Sequence, residues 1–131
     1  MISYATLGTQ DPRRAAAFFD TVLAPLGLQQ SYANEDMVGY KPGEPAGAES
    51  ILWVCKPFDG RPATVGNGSM LSFAARSRAQ VRAVHAAALA AGGQDEGAPG
   101  LREIYGPHIY LAYFRDLDGN KLAVICRAEG E

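Results

Sequence analysis

Tyr4, Trp53, Met70, Tyr110 and Tyr113 are the side chains of this sequence best suited to hold a ligand. A tyrosine brings an apolar ring and one O–H that needs a partner when buried. Two histidines, His85 and His108, bring titratable rings. His108 follows Tyr105-Gly106-Pro107 just ahead of an apolar stretch. A neutral imidazole there can take a proton or hydrogen-bond a ligand. His85 sits four residues after Val81 in an alanine-rich helical stretch and reads as a helix-border residue. Cys55 shares strand parity with Trp53. A nucleophilic thiol needs a nearby base to lower its pKa, and the sequence names none, so Cys55 reads as packing. Arg115, Lys121 and Arg127 can reach a rim and select an anion by charge-assisted hydrogen bonds, or stand as solvated strand ends. Asp116-Leu117-Asp118-Gly119-Asn120 superficially suggests a calcium loop. The distal glutamate such a loop requires is absent, and Asp-Gly is a standard turn pair, so this reads as a hairpin turn.

The elements that must position these groups follow from periodicity. Residues 2–8 alternate as a strand, with Tyr4 and Thr6 on one face and Ala5 and Leu7 on the other. Asp11 is an N-cap and Pro12 a first helical residue. Ala15, Phe18, Phe19 and Val22 then recur at helical spacing until Pro25 and Gly27. A weak hairpin is expected over 28–32 and 37–40, a loop over 41–48 and a strand over 51–55. Residues 57–68, with Pro57, Gly60, Pro62, Gly66 and Asn67, read as a linker. A strand over 70–75 follows. Ser77 and Gln80 make a capping-box pattern for a helix that ends at Gly92. Strands are expected over 101–105, 109–115 and 121–127. Tyr110 and Tyr113 point to opposite faces of theirs, and the sequence leaves open which one meets a ligand.

Composition bounds what such a chain can be. At 131 residues with 47% hydrophobic and 20% charged residues, it reads as one folded domain. A formal charge of −2 and scattered arginines argue against nucleic acid, which needs a basic face. No apolar run is long enough for a bilayer. Residues 1–4 lack a signal peptide's basic n-region. Cys55 and Cys126 then read as reduced thiols, and the expected location is the cytoplasm.

The first half of the chain is written again in the second. Ser77 repeats the capping role of Asp11 66 residues later, and the same offset lays Met70 over Tyr4. Residues 51–55 lie over 121–125 at an offset of 70. Repeats of this length are whole supersecondary units. Each reads strand, helix, then three strands. The expected fold is α+β: two βαβββ modules, about 1–56 and 69–128, pairing into curved mixed sheets around a central cavity with the helices outside.

The order of these pieces resembles the vicinal oxygen chelate superfamily, which holds glyoxalase-type lyases, bleomycin-resistance proteins and extradiol dioxygenases. The carriers are Ala16-Ala17-Phe18-Phe19-Asp20 with Val22 to Leu28, Pro57-Phe58-Asp59-Gly60, Phe73 to Arg78, Ala91-Gly92-Gly93, Gly97 to Gly100 and the turn Arg115 to Asn120. The resemblance implies a small-molecule cavity and a homodimer. Metal-bearing members take ligands, typically His and Glu, from the first and last strand of each module. Those positions here are Tyr4, Trp53, Met70 and Ala123. None is a usual ligand for a hard or borderline divalent ion, so no metal and no other cofactor is expected. The expected function is binding of a small molecule by Tyr4, Trp53, Met70, His108, Tyr110, Tyr113 and Ala123. One alternative is a lyase or isomerase using Tyr4 and His108 for acid–base work, or a metal held through His108 or Glu103. Another is a non-catalytic structural module.

Overall fold

A computed structural model describes residues 1–131. The first module holds β1 (Ala5–Gly8), α1 (Pro12–Val22), β2 (Leu28–Ala33), β3 (Met37–Pro42) and β4 (Leu52–Cys55). The second holds β5 (Leu71–Ala75), α2 (Arg78–Ala90), β6 (Gln94–Leu101), β7 (Tyr110–Arg115) and β8 (Lys121–Cys126). Each forms a four-stranded mixed sheet, ordered β1-β4-β3-β2 and β5-β8-β7-β6. The first and last strands of each module are parallel, and the other pairs are antiparallel. The chain is therefore α+β, built from two βαβββ modules.

Local chemistry sets both helices. The Asp11 carboxylate accepts the Arg14 N–H at 3.0 Å, with Pro12 behind it. Pro12, Ala15, Phe18, Phe19 and Val22 are the buried stripe of α1. Gly27 then adopts φ 76°, a left-handed conformation natural to glycine, and turns the chain into β2. At α2, Ser77 Oγ accepts the Gln80 N–H at 3.1 Å. Gln80 Oε1 accepts the Arg76 N–H at 2.7 Å, and its Nε2 donates to Pro25 O at 3.1 Å. The cap of the second helix is thus also tied to the first module.

One core serves both modules. Phe18, Phe19, Val22 and Leu23 from the α1 segment join Val38, Tyr40, Leu52 and Val54 of the first sheet. The same cluster continues through Val81, Val84 and Ala88 of α2 to Phe73, Phe114, Leu122 and Val124 of the second sheet. Phe18 bridges the halves, its ring centroid 6.5 Å from that of Phe114 and 5.1 Å from that of Phe19. Burying each such side chain contributes about 1.5–3 kcal/mol. Each sheet therefore gives one face to the helices and leaves the other open. No helix is long and apolar enough to cross a membrane.

Two expectations need correction. A strand was expected over 101–105, but β6 runs from Gln94 to Leu101, and Glu103–Tyr105 form a 3-10 turn. Gly97, Pro99 and Gly100 make β6 read as a loop, and its pairing with β7 shifts register twice, which erases the alternation a strand is recognised by. The first strand begins at Ala5, three residues later than expected, because β4, its only partner strand, pairs Leu52 with Ala5 and reaches no further.

Candidate functional site

The register of the sheets places the site residues. Thr6 pairs with Trp53 across β1 and β4, and Ser72 pairs with Ala123 across β5 and β8. These are equivalent positions in the two modules. Their neighbours Leu52, Val54, Leu122 and Val124 belong to the core, so Trp53 and Ala123 point to the open faces. Tyr4 and Met70 each stand one residue ahead of their strand and extend the same alternation as Thr6 and Ser72. Tyr4 is 58% exposed and Met70 47%. Ala123 is fully buried and can only shape the floor of a site.

In the first module the open face is aromatic. Trp53 lies across Gly39, its strand partner on β3. A Cβ at Gly39 would meet the indole at 2.6 Å, so glycine is what lets the ring lie flat there. Tyr32 packs edge-on to Trp53 with ring centroids 6.2 Å apart. Tyr32 pairs with Gly39 from the other side. Nothing in the sequence singled it out, because its approach to Trp53 depends on an irregularity in β2 between Gln30 and Tyr32. Cys55 shares the Trp53 face, and burial pushes its thiol pKa up, the opposite of an activated nucleophile.

The second module exchanges large and small. Here the ring is Tyr113 on β7, opposite Ala123 on β8. Its Cδ2 would stand 2.8 Å from a Cβ at Gly97 of β6. The Lys121 Nζ lies 5.5 Å from the Tyr113 ring centroid and the Arg102 guanidinium 5.6 Å. Tyr110 points the other way. It packs on the core beneath α2, with Arg78 5.3 Å and Arg82 5.9 Å from its ring centre. Of the two tyrosines on this strand, Tyr113 is therefore the one on the open face.

The remaining candidates lie apart. His108 is half-buried ahead of β7. His85 is a buried residue of α2, its Nε2 3.0 Å from Asp95 Oδ1 on β6. Arg115 is occupied by Glu96 and by Gly119 O, both at 2.8 Å, and Arg127 is exposed. The Asp116–Asn120 turn joins β7 to β8. Asp116 Oδ1 accepts the backbone N–H groups of Asp118 and Asn120, and Oδ2 accepts the Asn120 amide, so the protein itself fills this carboxylate. Two broad open depressions occur elsewhere. One of about 800 Å³ lies beside the start of α1 near Asp11, Asn34 and Lys56. One of about 850 Å³ lies at the module junction near Pro25, Glu44 and Arg76. Neither is lined by Tyr4, Trp53, Met70, His108 or Tyr113. Those side chains lie on or beside open sheet surfaces.

Comparison with solved structures places this arrangement. The chain is 40% identical to a glyoxalase/bleomycin resistance protein from Albidiferax ferrireducens T118, with a TM-score of 0.83, covering 96% of this chain and 98% of that one. It therefore belongs to the glyoxalase/bleomycin resistance/dioxygenase superfamily. A glyoxalase-related enzyme from Fulvimarina pelagi shares the fold at TM-score 0.72 and 20% identity, covering 96% and 87%. A lactoylglutathione lyase from Agrobacterium tumefaciens does so at 0.65 and 22%, covering 96% and 92%. No protein-family model and no curated protein sequence matches the chain.

Metal chemistry in this fold needs a donor set, and the residues here do not supply one. Phenol, indole, thioether and methyl groups stand at Tyr4, Trp53, Met70 and Ala123, the positions to which the family resemblance assigns metal ligands. No three His, Cys, Asp or Glu side chains converge anywhere in the chain. Hard and borderline divalent ions are held by carboxylate, imidazole or carbonyl groups. No catalytic step through a metal is derived from these residues.

Proposed function

We propose that the chain binds a small molecule on the open faces of its sheets without a metal ion. Tyr4, Trp53, Met70 and Tyr113 form the contact surface, and Ala123 lies beneath it. The observation that carries this reading is the residue content of Tyr4, Trp53, Met70 and Ala123, which the resemblance equates with the family's ligand positions. All four side chains belong to the open faces, and three of them are large and apolar or aromatic. Ligand sites are mostly apolar, with a few placed polar groups. The Tyr4, Tyr32 and Tyr113 hydroxyls, Thr6 and Ser72 supply those groups here.

The reading includes a homodimer. Tyr4 and Met70 stay about half exposed in a single chain. A second copy lying against the open faces encloses a ligand and removes this apolar surface from water. His108, at the loop ahead of β7, lies at the rim of such an enclosure.

Elemental analysis of protein never exposed to chelator tests the first part. The expected content is below 0.1 divalent ion per chain (about a tenth, an order-of-magnitude threshold for a structural or catalytic site). One stoichiometric ion overturns the reading. Light scattering behind size exclusion tests the dimer, and a monomer at every concentration removes it.

A further inference from the structure

We propose that the Tyr113 corner of the second sheet is an oxyanion-recognition site, and that the ligand is a small aromatic acid whose acidic head sits between Arg102 and Lys121. The inference deepens the proposed function and rests on it. Arg102 and Lys121 both approach one ring, at 5.6 and 5.5 Å from its centroid. The electron-rich face of an aromatic ring attracts each cation, but the two cations repel one another. Neither belongs to any of the chain's salt bridges. Glu96, the carboxylate of the adjoining strand, is already held by Arg115 at 2.8 Å. Two positive groups thus flank one ring, and neither is paired with a carboxylate.

The placement of Arg102 is built rather than incidental to a flexible side chain. The Arg102 backbone N–H donates to Ile109 O at 2.8 Å, and its Nη2 donates to Ala98 O at 2.8 Å. That fixes the guanidinium over Gly97 and leaves its other N–H groups to donate. Lys121 shares the open face with Tyr113, two residues before Ala123 on β8. A carboxylate or phosphate offers each cation an acceptor, gives charge-assisted hydrogen bonds and relieves the repulsion. The Tyr113 ring accepts the body of the molecule. A neutral or cationic ligand would leave the two charges uncompensated or add a third.

The test is a nuclear magnetic resonance titration of the whole chain with benzoate, phenyl phosphate and benzamide. The Arg102 Nε–H reports the Tyr113 corner, and the Trp53 indole N–H reports the open face of the first module. At least one acid is expected to bind about tenfold or more tightly than benzamide, with an affinity that falls as salt rises. Whichever acid binds tighter identifies the head as carboxylate or phosphate. Lys121→Gln and Arg102→Gln should each weaken the acid about tenfold and affect benzamide much less, while Lys121→Arg retains most of the affinity. Thermal unfolding of each variant confirms that it is folded. Equal binding of amide and acids, or acid binding indifferent to both Gln variants, overturns the oxyanion site and leaves the small-molecule reading standing. Failure of all three compounds to shift either signal removes both.

Discussion

Thr9 Oγ1 donates a 2.6 Å hydrogen bond to Asp118 Oδ2, joining residues 109 positions apart. Thr9 is fully buried at the corner between β1 and α1, and Asp118 belongs to the turn between β7 and β8. The same carboxylate accepts the Gln10 N–H at 3.1 Å and lies 3.6 Å from the Arg14 guanidinium. Asn120, two residues on, donates to Gly8 O at 2.9 Å. The turn of one module thus satisfies the backbone at the strand end of the other. The repeated strands carry the candidate site, and this clasp fixes one module against the other.

Removing the clasp should loosen the module junction. Thr9→Val keeps the shape and takes away the donor, leaving the Asp118 carboxylate short of a partner in a mostly buried place. A hydrogen bond to a charged group contributes about 1.5–3 kcal/mol. For a chain of this size, that is a fall in melting temperature of roughly 4–10 °C. Calorimetry of Thr9→Val and Thr9→Ser makes the comparison. Serine should recover most of the loss, and a larger loss in serine than in valine would show that the methyl group, not the hydroxyl, matters.

The repeat was legible because capping residues and strand alternation are local. Asp11 and Ser77 cap helices where the sequence places them. The offsets that lay Met70 over Tyr4 and Ala123 over Trp53 predict the same equivalences that the β1–β4 and β5–β8 pairings display. What sequence could not convey is contact across irregular strands. Tyr32 reaches Trp53 only because β2 shifts register at Gln30. Arg102 reaches Tyr113 only because the glycine-rich β6 pairs with β7. Tyr110 and Tyr113 carry the same side chain on one strand, and α2 decides between them by covering one.

Gly39 should be intolerant of any side chain. Alanine there places a Cβ 2.6 Å from the Trp53 ring and 2.9 Å from Ser31 Oγ, so the indole must swing off the sheet. Overpacking of this kind costs about 1–3 kcal/mol. Gly39→Ala is expected to shift the Trp53 emission and near-ultraviolet dichroism and to weaken any ligand seated on that ring. An unchanged Trp53 spectrum would mean the ring does not lie across Gly39 in solution.

Tyr40 anchors α1 to the first sheet from inside the core. Its hydroxyl donates to Asp20 Oδ1 at 2.8 Å, and it also stands 3.2 Å from Ala16 O. Burial, reinforced by the Asp20 carboxylate, holds the phenol protonated far above its ordinary range. Tyr40→Phe should cost about 1.5–3 kcal/mol, the worth of a hydrogen bond to a charged acceptor. Urea unfolding of Tyr40→Phe, Asp20→Asn and the double variant measures the coupling. Additive losses in the cycle would deny the pair.

The Asp95 carboxylate gives the fold a dependence on acid. The Gly97 N–H and then the His85 ring hold its pKa below the ordinary aspartate value. A carboxylate whose pKa is lower in the folded than in the unfolded state binds fewer protons when folded. Its contribution is therefore fully present above the unfolded value of about 4, and it is lost as pH falls through the lowered one. Replacing it with asparagine keeps an acceptor for the Gly97 N–H but removes the charge. Wild type and Asp95→Asn should accordingly differ in urea midpoint at pH 6 (a pH chosen about two units above the unfolded value) and converge as the solution is acidified below that value. A gap that persists unchanged through the acid range would assign the difference to shape rather than to ionisation. The same titration in His85→Gln separates the two causes: the acid dependence should shrink but remain, because the Gly97 N–H, the larger cause, is still in place.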